Sequence, residues 1–239
     1  MISLQKRESK QIDIHRCGYG RLVVWLKAGV LLSFLFLFAA CSSANETSSL
    51  GADVLFQDQF VIGQTGNWQI EGDADGQTSI TNERLMIDLN APNIAQFSSL
   101  AEQSFTDFIY EVDARQISGD PGNTYGVLFR VQDPTMFYRF ELTGDGMYMV
   151  ERRNSDGSWT RFVEDWTASP AIHQGINTLN RIRIEAVGSS FSAYVNDQLV
   201  HQFEDNSFSS GTIGVDAGTF VQPHTQAVFD NVVVRMPGN

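Results

Sequence analysis

Strand-spaced carboxylates are the first residues of this chain that could do chemistry. Glu111, Asp113 and Arg115 lie two positions apart, so on a β-strand their side chains would share one face. Retaining hydrolysis of a glycoside needs two carboxyl groups about 5–5.5 Å apart, one as nucleophile and one as acid. Arg115 stands where the last carboxylate would be needed, and a guanidinium does not release a proton near neutral pH. We therefore expect a charged strand face here and assign no catalytic residue.

The other candidates for catalysis are scattered along the sequence. His173, His201 and His224 lie in three separate segments, without the spacing of a metal-binding pair. The sequence contains neither a nucleophile elbow nor a phosphate-binding loop. We therefore expect no required cofactor.

Arginines and tryptophans on neighbouring candidate strands favour binding instead. Several alternate with apolar positions, so they would lie on the polar faces of their strands. Guanidinium groups donate paired hydrogen bonds to hydroxyl groups, and the apolar face of a pyranose stacks on an indole ring. The predicted ligand contacts are Arg130, Arg139, Glu141, Trp159, Arg161 and Trp166. The alternative is a lattice of cross-strand ion pairs that only solvates the sheet, and the strand register decides between the two.

Alternation with a period of two residues dominates the part of the chain that must position these side chains. In Phe108–Arg115, for example, apolar residues occupy the even positions and charged residues appear at the odd ones. Asp-Gly pairs such as Asp145-Gly146 separate the runs, because glycine accepts the positive φ of a hairpin turn. Only Ser169–Ile172 suggests a helical turn. The pattern predicts an all-β fold, a two-sheet antiparallel sandwich over residues 54–236.

Several segments resemble a known group of bacterial extracytoplasmic β-sandwiches. They are Tyr125–Arg130, Phe137–Glu141, Gly144–Gly146, Asp165–Ile172 and Val228–Asn231. Together they resemble the concanavalin A-like lectin/glucanase fold, and are similar to 3-keto-disaccharide hydrolase, laminin-G-like and family 16 glucanase domains. The resemblance implies a jelly-roll sandwich. It specifies no activity, because the fold hosts lectins, hydrolases and inert spacers. The glucanases carry a Glu-x-Asp-x-x-Glu strand motif, of which only Glu111 and Asp113 are present here.

The resemblance also implies a structural calcium ion near the two chain ends. Relatives of this fold bring their ends together and hold the ion with acidic residues, for which Asp58 and Asp230 are the candidates. The alternative for each carboxylate is to cap or line a turn. A second segment, Glu71–Gly76, opens like a calcium loop. It has Asn82 where the last glutamate of the loop would bind, which favours a solvated turn.

The net charge changes sign between the segment that ends at Cys41 and the rest of the chain. Of the 16 basic and 28 acidic residues, six basic and two acidic ones lie in the first 41 positions. The remaining residues include ten arginines, no lysine and 26 acids, which gives them a net charge of −16. Such a body repels polyphosphate, so we expect no nucleic-acid partner, and it has no polybasic stretch to hold a bilayer surface. No cysteine follows Cys41, which excludes a disulfide framework from the body.

The N-terminal segment has the order of a secretory signal. Basic residues precede an apolar run over residues 28–40, which is shorter than a membrane-spanning helix requires. Ala39, Ala40 and Cys41 resemble the lipobox of bacterial lipoproteins, in which the cysteine is lipidated. An uncleaved signal anchor is the alternative. We predict a signal over residues 1–41, a flexible tether over 42–53, the sandwich over 54–236 and a tail over 237–239.

The sequence thus predicts a lipid-anchored, extracytoplasmic module that binds a glycan or polysaccharide without cleaving it. Membrane contact is expected through the lipid alone, and Ser42 after the cysteine favours the outer membrane in a host that has two. Two alternatives stay open. One is a hydrolase of the 3-keto-disaccharide type, which the resemblance implies, and the other is a structural or adhesive surface module without a small ligand.

Overall fold

The described part of the chain consists of β-strands and connecting turns. The computed structural model describes residue 51 and residues 53–238; the predicted signal, Cys41 and nearly all of the tether lie outside them. Within these residues no helix is long and apolar enough to cross a membrane. The first strands are β1 Val54–Asp58, β2 Gly76–Thr81, β3 Arg84–Leu89, β4 Ala95–Ser99, β5 Phe108–Ser118, β6 Thr124–Asp133, β7 Met136–Thr143 and β8 Met147–Arg153. The others are β9 Trp159–Arg161, β10 Thr167–Ala168, β11 Asn180–Val187, β12 Ser190–Val195, β13 Gln198–Glu204, β14 Thr212–Gly218 and β15 Thr225–Arg235.

These strands make an eight-stranded and a seven-stranded sheet. The order in the eight-stranded sheet is β13-β12-β11-β5-β15-β3-β2, with β1 also paired to β15. The order in the seven-stranded sheet is β10-β8-β7-β6-β14-β4, with β9 also paired to β8. All of these pairings are antiparallel. The prediction of an all-β, two-sheet antiparallel sandwich is confirmed.

The period-two alternation sends one face of each strand into a common core between the sheets. On β7 the core residues are Tyr138, Phe140 and Leu142, all fully buried. The residues between them lie on the outer face, defined here as the face of the seven-stranded sheet that points away from the core. Tyr138 also packs on Phe191 of the other sheet, with ring centroids 4.8 Å apart. Each such side chain contributes about 1.5–3 kcal/mol by leaving water.

Tight turns join consecutive strands where the sequence predicted them. Gly146 turns β7 into β8 with a φ of +94°, and Gly157 turns β8 into β9 with a φ of +84°. A side chain is strained at such angles, which explains glycine at both positions. The predicted helical turn at Ser169–Ile172 is a single hydrogen-bonded turn, in which Ile172 N donates to Ser169 O over 3.2 Å.

A β-bulge in β6 changes the face that the last residues of this strand occupy. Leu128 pairs with Gly214 and Val131 with Thr212, so β6 has one more residue than β14 between these pairs. The extra residue lies beside Arg130, whose φ of +46° is left-handed. Leu128 and Val131 consequently belong to one small apolar cluster, separate from the main core.

Candidate functional site

A buried cluster of charged side chains lies on the outer face. Arg139 and Glu141 come from β7, Glu151 from β8 and Asp216 from β14. Arg139 pairs directly with Glu151, while Glu141 and Asp216 each pair with Gly126 of the strand between them. Because Gly126 has no side chain, the two carboxyl groups can meet above it.

Arg139 is the centre of this cluster. Its Nη2 donates a hydrogen bond to Glu151 Oε1 and lies 3.1 Å from Glu141 Oε2, and its Nη1 lies 3.6 Å from Asp216 Oδ2. Burial alone lowers the pKa of Arg139, but the three carboxylates outweigh burial and raise this pKa above its usual value. The guanidinium is therefore a fixed cation, and among the described residues its Nε has no hydrogen-bond partner.

Glu141 and Asp216 form a pair of buried carboxyl groups whose pKa values are both raised. Burial and the charge of Glu141 raise the pKa of Asp216 well above its usual value. Burial also raises the pKa of Glu141, against the opposing effects of Arg139 and of a 2.7 Å hydrogen bond from Thr124 Oγ1. The protonated form of Asp216 is therefore favoured beside Glu141. Among the described residues, the Oδ1 atom of Asp216 is buried without a hydrogen-bond partner.

A pocket of about 430 Å³ opens above this cluster. Arg139, Glu141 and Glu151 are among the polar residues that line it. Its aromatic residues are Trp159, Trp166 and Phe220. The rings of Trp166 and Phe220 meet edge to face with centroids 6.0 Å apart. The pocket thus joins a charged floor to aromatic rings, within the size range of small-ligand sites.

Two guanidinium groups hold the Trp159 ring in place. Cζ of Arg139 lies 4.4 Å from the ring centroid, and Cζ of Arg153 lies 4.9 Å from it. Both distances are in the range of cation–π attraction. Trp159 nevertheless keeps 37% of its surface exposed, so a ligand can reach it.

Five of the six predicted ligand contacts come together in this pocket, and only Arg130 does not. They are Arg139, Glu141, Trp159, Arg161 and Trp166. Arg161 has an Nε 3.8 Å from Glu151 Oε2 and is about half exposed. The strand register therefore places Arg139, Glu141, Trp159 and Arg161 on one face of one sheet. Trp166, which directly precedes β10, lines the same pocket.

Arg130 is the predicted ligand contact that the structure places away from the pocket. Its side chain is fully buried, and its Nη atoms donate to the carbonyl oxygens of Thr106, Gly188 and Phe208 over 2.8–2.9 Å. Its Cζ lies 4.8 Å from the ring centroid of Phe191, on the core side. The bulge in β6 causes this placement, because one extra residue reverses the alternation that predicted an outward side chain. We therefore do not retain Arg130 as a ligand contact.

Glu151 and Asp216 are the site residues that the sequence reasoning missed. Glu151 alternates with the buried Val150 on a strand that was predicted, so its face could have been read. Asp216 lies in Gly214–Gly218, where a lone charge among small and apolar residues is the available signal. Neither signal shows that the two side chains meet Arg139, because that depends on the order of strands in the sheet.

Glu111 and Asp113 lie on β5, in the other sheet. Glu111 accepts a hydrogen bond from Arg235, and Asp113 accepts one of 2.8 Å from Nε of Arg181. Burial opposes ionisation of Asp113, but hydrogen bonds from Arg181 and Asn231 lower its pKa below the usual value. Both carboxylates thus belong to a network of ion pairs, and neither lines the pocket on the seven-stranded sheet.

The candidate calcium ligands have partners within the protein. Asp58 accepts hydrogen bonds from Phe60 N, Gly66 N and Trp68 Nε1, which occupy both of its oxygens. Asp230 lies 3.7 Å from Arg84 Nε. Over residues 53–238 the structure shows no group of three or more His, Cys, Asp or Glu placed to hold a metal ion.

The acidic segment Glu71–Gly76 forms a turn stabilised by one of its own carboxylates. Oδ1 of Asp73 accepts from Asp75 N over 2.8 Å and from Gly76 N over 3.2 Å. These backbone hydrogen bonds lower the pKa of Asp73. Such bonds are those of a capped turn, the simpler of the two structures that the sequence suggested.

The fold and the pocket define a β-sandwich of the concanavalin A-like, jelly-roll class with a polar site on one sheet. The model of the 3-keto-alpha-glucoside-1,2-lyase-like domain matches residues 51–235. The chain belongs to this family. No curated protein matches it.

Solved structures with the same fold include carbohydrate-active proteins of bacilli. The chain is 23% identical to the carbohydrate-binding module CBM66 from Bacillus subtilis, with a TM-score of 0.56 over 71% of this chain and 96% of that one. It is 16% identical to a Bacillus licheniformis β-glucanase, with a TM-score of 0.56 over 79% of this chain and 100% of that one. A Bacillus subtilis protein of unknown function with a galectin-like fold gives 13% identity and a TM-score of 0.59, over 77% and 96% of the two chains. At these identities the likeness shows the fold alone.

Proposed function

We propose that this protein binds a neutral carbohydrate in the pocket on the outer face. The observation that carries the proposal is the position of the buried Arg139 cluster directly beside exposed aromatic rings. The rings of Trp159 and Phe220 offer flat apolar surfaces to the carbon–hydrogen face of a sugar. The carboxylates accept hydrogen bonds from its hydroxyl groups, and charge makes these bonds stronger than neutral ones.

The charges of the pocket suit an uncharged ligand. Burial raises the pKa values of Glu141 and Asp216, so folding disfavours full ionisation of this carboxyl pair. Arg139 and Arg161 carry two positive charges beside them. A ligand with a strong charge of its own would leave part of this cluster unbalanced in a partly buried site. A sugar ring with many hydroxyl groups gives each charged group a hydrogen-bonding partner instead.

Binding of the purified chain to a broad glycan array tests this function. Trp159→Ala and Arg161→Ala change partly exposed side chains of the pocket, and each is expected to weaken binding about tenfold or more, by removing a stacking surface or a charged donor. Arg84→Ala is the matched control, because Arg84 is similarly exposed in a comparable ion pair on the other sheet. A chain that binds no glycan on the array would instead be a structural or adhesive module.

A glycoside-processing enzyme is the second candidate, and the carboxyl pair is the observation that favours it. A lyase acting on a 3-keto glucoside takes a proton from the carbon beside the ketone and gives one to the departing glycosidic oxygen. One group must accept a proton and another must donate one. Glu141 and Asp216 beside Arg139 are the candidates for these two roles, because raised pKa values are typical of such groups.

Product release from 3-keto glucosides tests the enzyme proposal. Loss of turnover in Asp216→Asn, with binding of the substrate retained, would support proton transfer by the pair. Absence of turnover in the unmodified chain, under conditions where it binds the same compound, would leave binding as the function.

The place of action that we propose is the extracytoplasmic side of the cell envelope, with a lipid on Cys41 as the anchor. Support comes from the sequence alone, through the apolar run that ends in Ala39-Ala40-Cys41. The twelve residues over 42–53, the predicted tether, would join this lipid to the sandwich.

A further inference from the structure

The outer face carries an apolar cluster that the main core does not use. Leu128, Val131 and Phe137 are at least 94% buried, although they lie on the side of the sheet that points away from the core. Phe97 of the neighbouring edge strand packs against them, with its ring centroid 6.0 Å from that of Phe137. Side chains on the outer face of an antiparallel sheet are usually polar, so an apolar cluster on this face needs an explanation.

A second, smaller cavity of about 220 Å³ lies on this cluster. Phe97, Leu128, Phe137 and Trp159 supply its apolar walls, which make up most of its surface. The polar part of its lining comes from Gln96, Arg139, Arg153 and Asp216. Ala95, Arg139 and Trp159 line this cavity and also the polar pocket, so the two adjoin. We call this second cavity the apolar lobe and the pocket above the Arg139 cluster the polar lobe. Phe137, Arg139 and Glu141 occupy alternate positions of β7, from the apolar lobe to the polar lobe.

The two lobes suit chemically different parts of one ligand. A sugar ring in the apolar lobe would place most of its hydroxyl groups against the apolar walls, where they lack partners, which is costly. An apolar ring fits there, since an apolar cavity of about 150 Å³ is enough to take benzene. The aromatic walls also allow edge-to-face packing on such a ring.

We infer that the ligand is a glycoside with an apolar, ring-sized aglycone. Its sugar lies in the polar pocket and its aglycone lies in the apolar lobe, with the glycosidic bond beside Arg139 and Trp159. This inference rests on the proposed function, because it names the class of carbohydrate that the same site takes.

The test compares phenyl and methyl glycosides of glucose, galactose and mannose by isothermal titration of the purified chain. The phenyl compound of the sugar that binds is expected to bind at least about tenfold more tightly, the factor for a ring of that size leaving water. Equal affinity of the phenyl and methyl compounds would overturn the inference and leave carbohydrate binding intact. Failure of every glycoside to bind would overturn both.

Two substitutions at Phe97 locate the effect. Phe97→Ala removes a wall of the lobe and Phe97→Trp fills it, and both are expected to bring the ratio of phenyl to methyl affinity close to one. Phe220→Ala is the matched control at the polar lobe, where the ratio is expected to persist while both affinities fall. Thermal unfolding confirms that each variant is folded. A ratio that survives both changes at Phe97 in folded variants contradicts the assignment of the aglycone to this lobe.

Discussion

Arg130 and Arg139 are nine positions apart and have the same side chain, but their surroundings give them different roles. Arg139 faces three carboxylates on the outer face and is held as a cation that a ligand can meet. Arg130 faces three backbone carbonyl oxygens inside the sandwich, and burial lowers its pKa. The first belongs to the proposed site, and the second holds together the segments that contain Thr106, Gly188 and Phe208.

The role of Arg130 predicts a loss of stability without a loss of affinity. Arg130→Met leaves three buried carbonyl groups without their donor, and we expect unfolding in urea to show a loss of about 3 kcal/mol or more. Arg115→Met, on a partly exposed position of β5, is the control and should change stability by less than about 1 kcal/mol. Folded Arg130→Met protein should bind ligand like the unchanged protein. A change in affinity without a change in stability would contradict this role.

The raised pKa of Asp216 predicts the pH dependence of stability. A carboxyl group whose pKa is raised by folding contributes stability that is full below its unfolded pKa near 3.8 and is lost as pH rises through the folded pKa. Asp216→Asn is neutral at every pH and keeps a donor for Glu141. The melting temperature of Asp216→Asn should therefore rise relative to that of the unchanged protein as the pH is raised from 4 to 8. Each kcal/mol of relative stability corresponds to about 2–4 °C.

Asp113 provides a control of opposite sign for this experiment. Its pKa is lowered in the folded protein despite partial burial, because Arg181 and Asn231 stabilise the ionised form. Its contribution is present above the unfolded pKa and is lost as pH falls. Asp113→Asn should therefore be less stable than the unchanged protein at neutral pH and approach it under acid conditions. Parallel pH profiles for the two variants would contradict the opposite pKa shifts of Asp216 and Asp113.

At the scale of the elements, β6 decides which side chains meet. Gly126 in this strand leaves room for the carboxyl pair, and the bulge turns Arg130 into the core and Val131 to the outer face. The strands and most turns could be predicted from alternation and from Asp-Gly pairs. The bulge could not, because Arg130 fits the alternation of Tyr125–Gln132 and only the pairings with β14 and β7 show the irregularity. The meeting of Asp216 with Glu141 likewise follows from strand order, which no local pattern contains.

Gly126→Ala tests how much the site depends on this strand. A Cβ at Gly126 would lie 2.3 Å from Phe140 O and 2.8 Å from Glu141 Cα, so β6 and β7 would have to separate. We expect a loss of about 1–3 kcal/mol in urea unfolding and a fall in ligand affinity, because the carboxyl pair moves apart. Gly122→Ala is the matched control, since its nearest contact is the flexible Asp120 Oδ1 at 3.2 Å. Unchanged stability and affinity in Gly126→Ala would contradict the close approach.

At the scale of the whole molecule, the net charge and the charge of the site differ. The ten arginines of the body are outnumbered by 26 acids, yet Arg139 and Arg161 balance the carboxylates of the pocket. The excess negative charge therefore lies elsewhere, where it keeps the surface hydrated and repels anionic membranes and polymers. A protein of this charge stays at a membrane only if something other than its surface holds it there.

The lipid on Cys41 is the proposed anchor, and its removal predicts a change of compartment. Cys41→Ser leaves no thiol for lipidation, so the chain should move from the membrane fraction to the soluble fraction, or remain as an unprocessed precursor that migrates more slowly in a gel. Labelling with radioactive palmitate should mark the unchanged chain and not the variant. A single acyl chain binds membranes only marginally, so stable anchoring also requires more than one chain on the lipidated cysteine. A Cys41→Ser chain that stays in the membrane at its original size would indicate an uncleaved signal anchor, with the apolar run over residues 28–40 holding the sandwich at the bilayer.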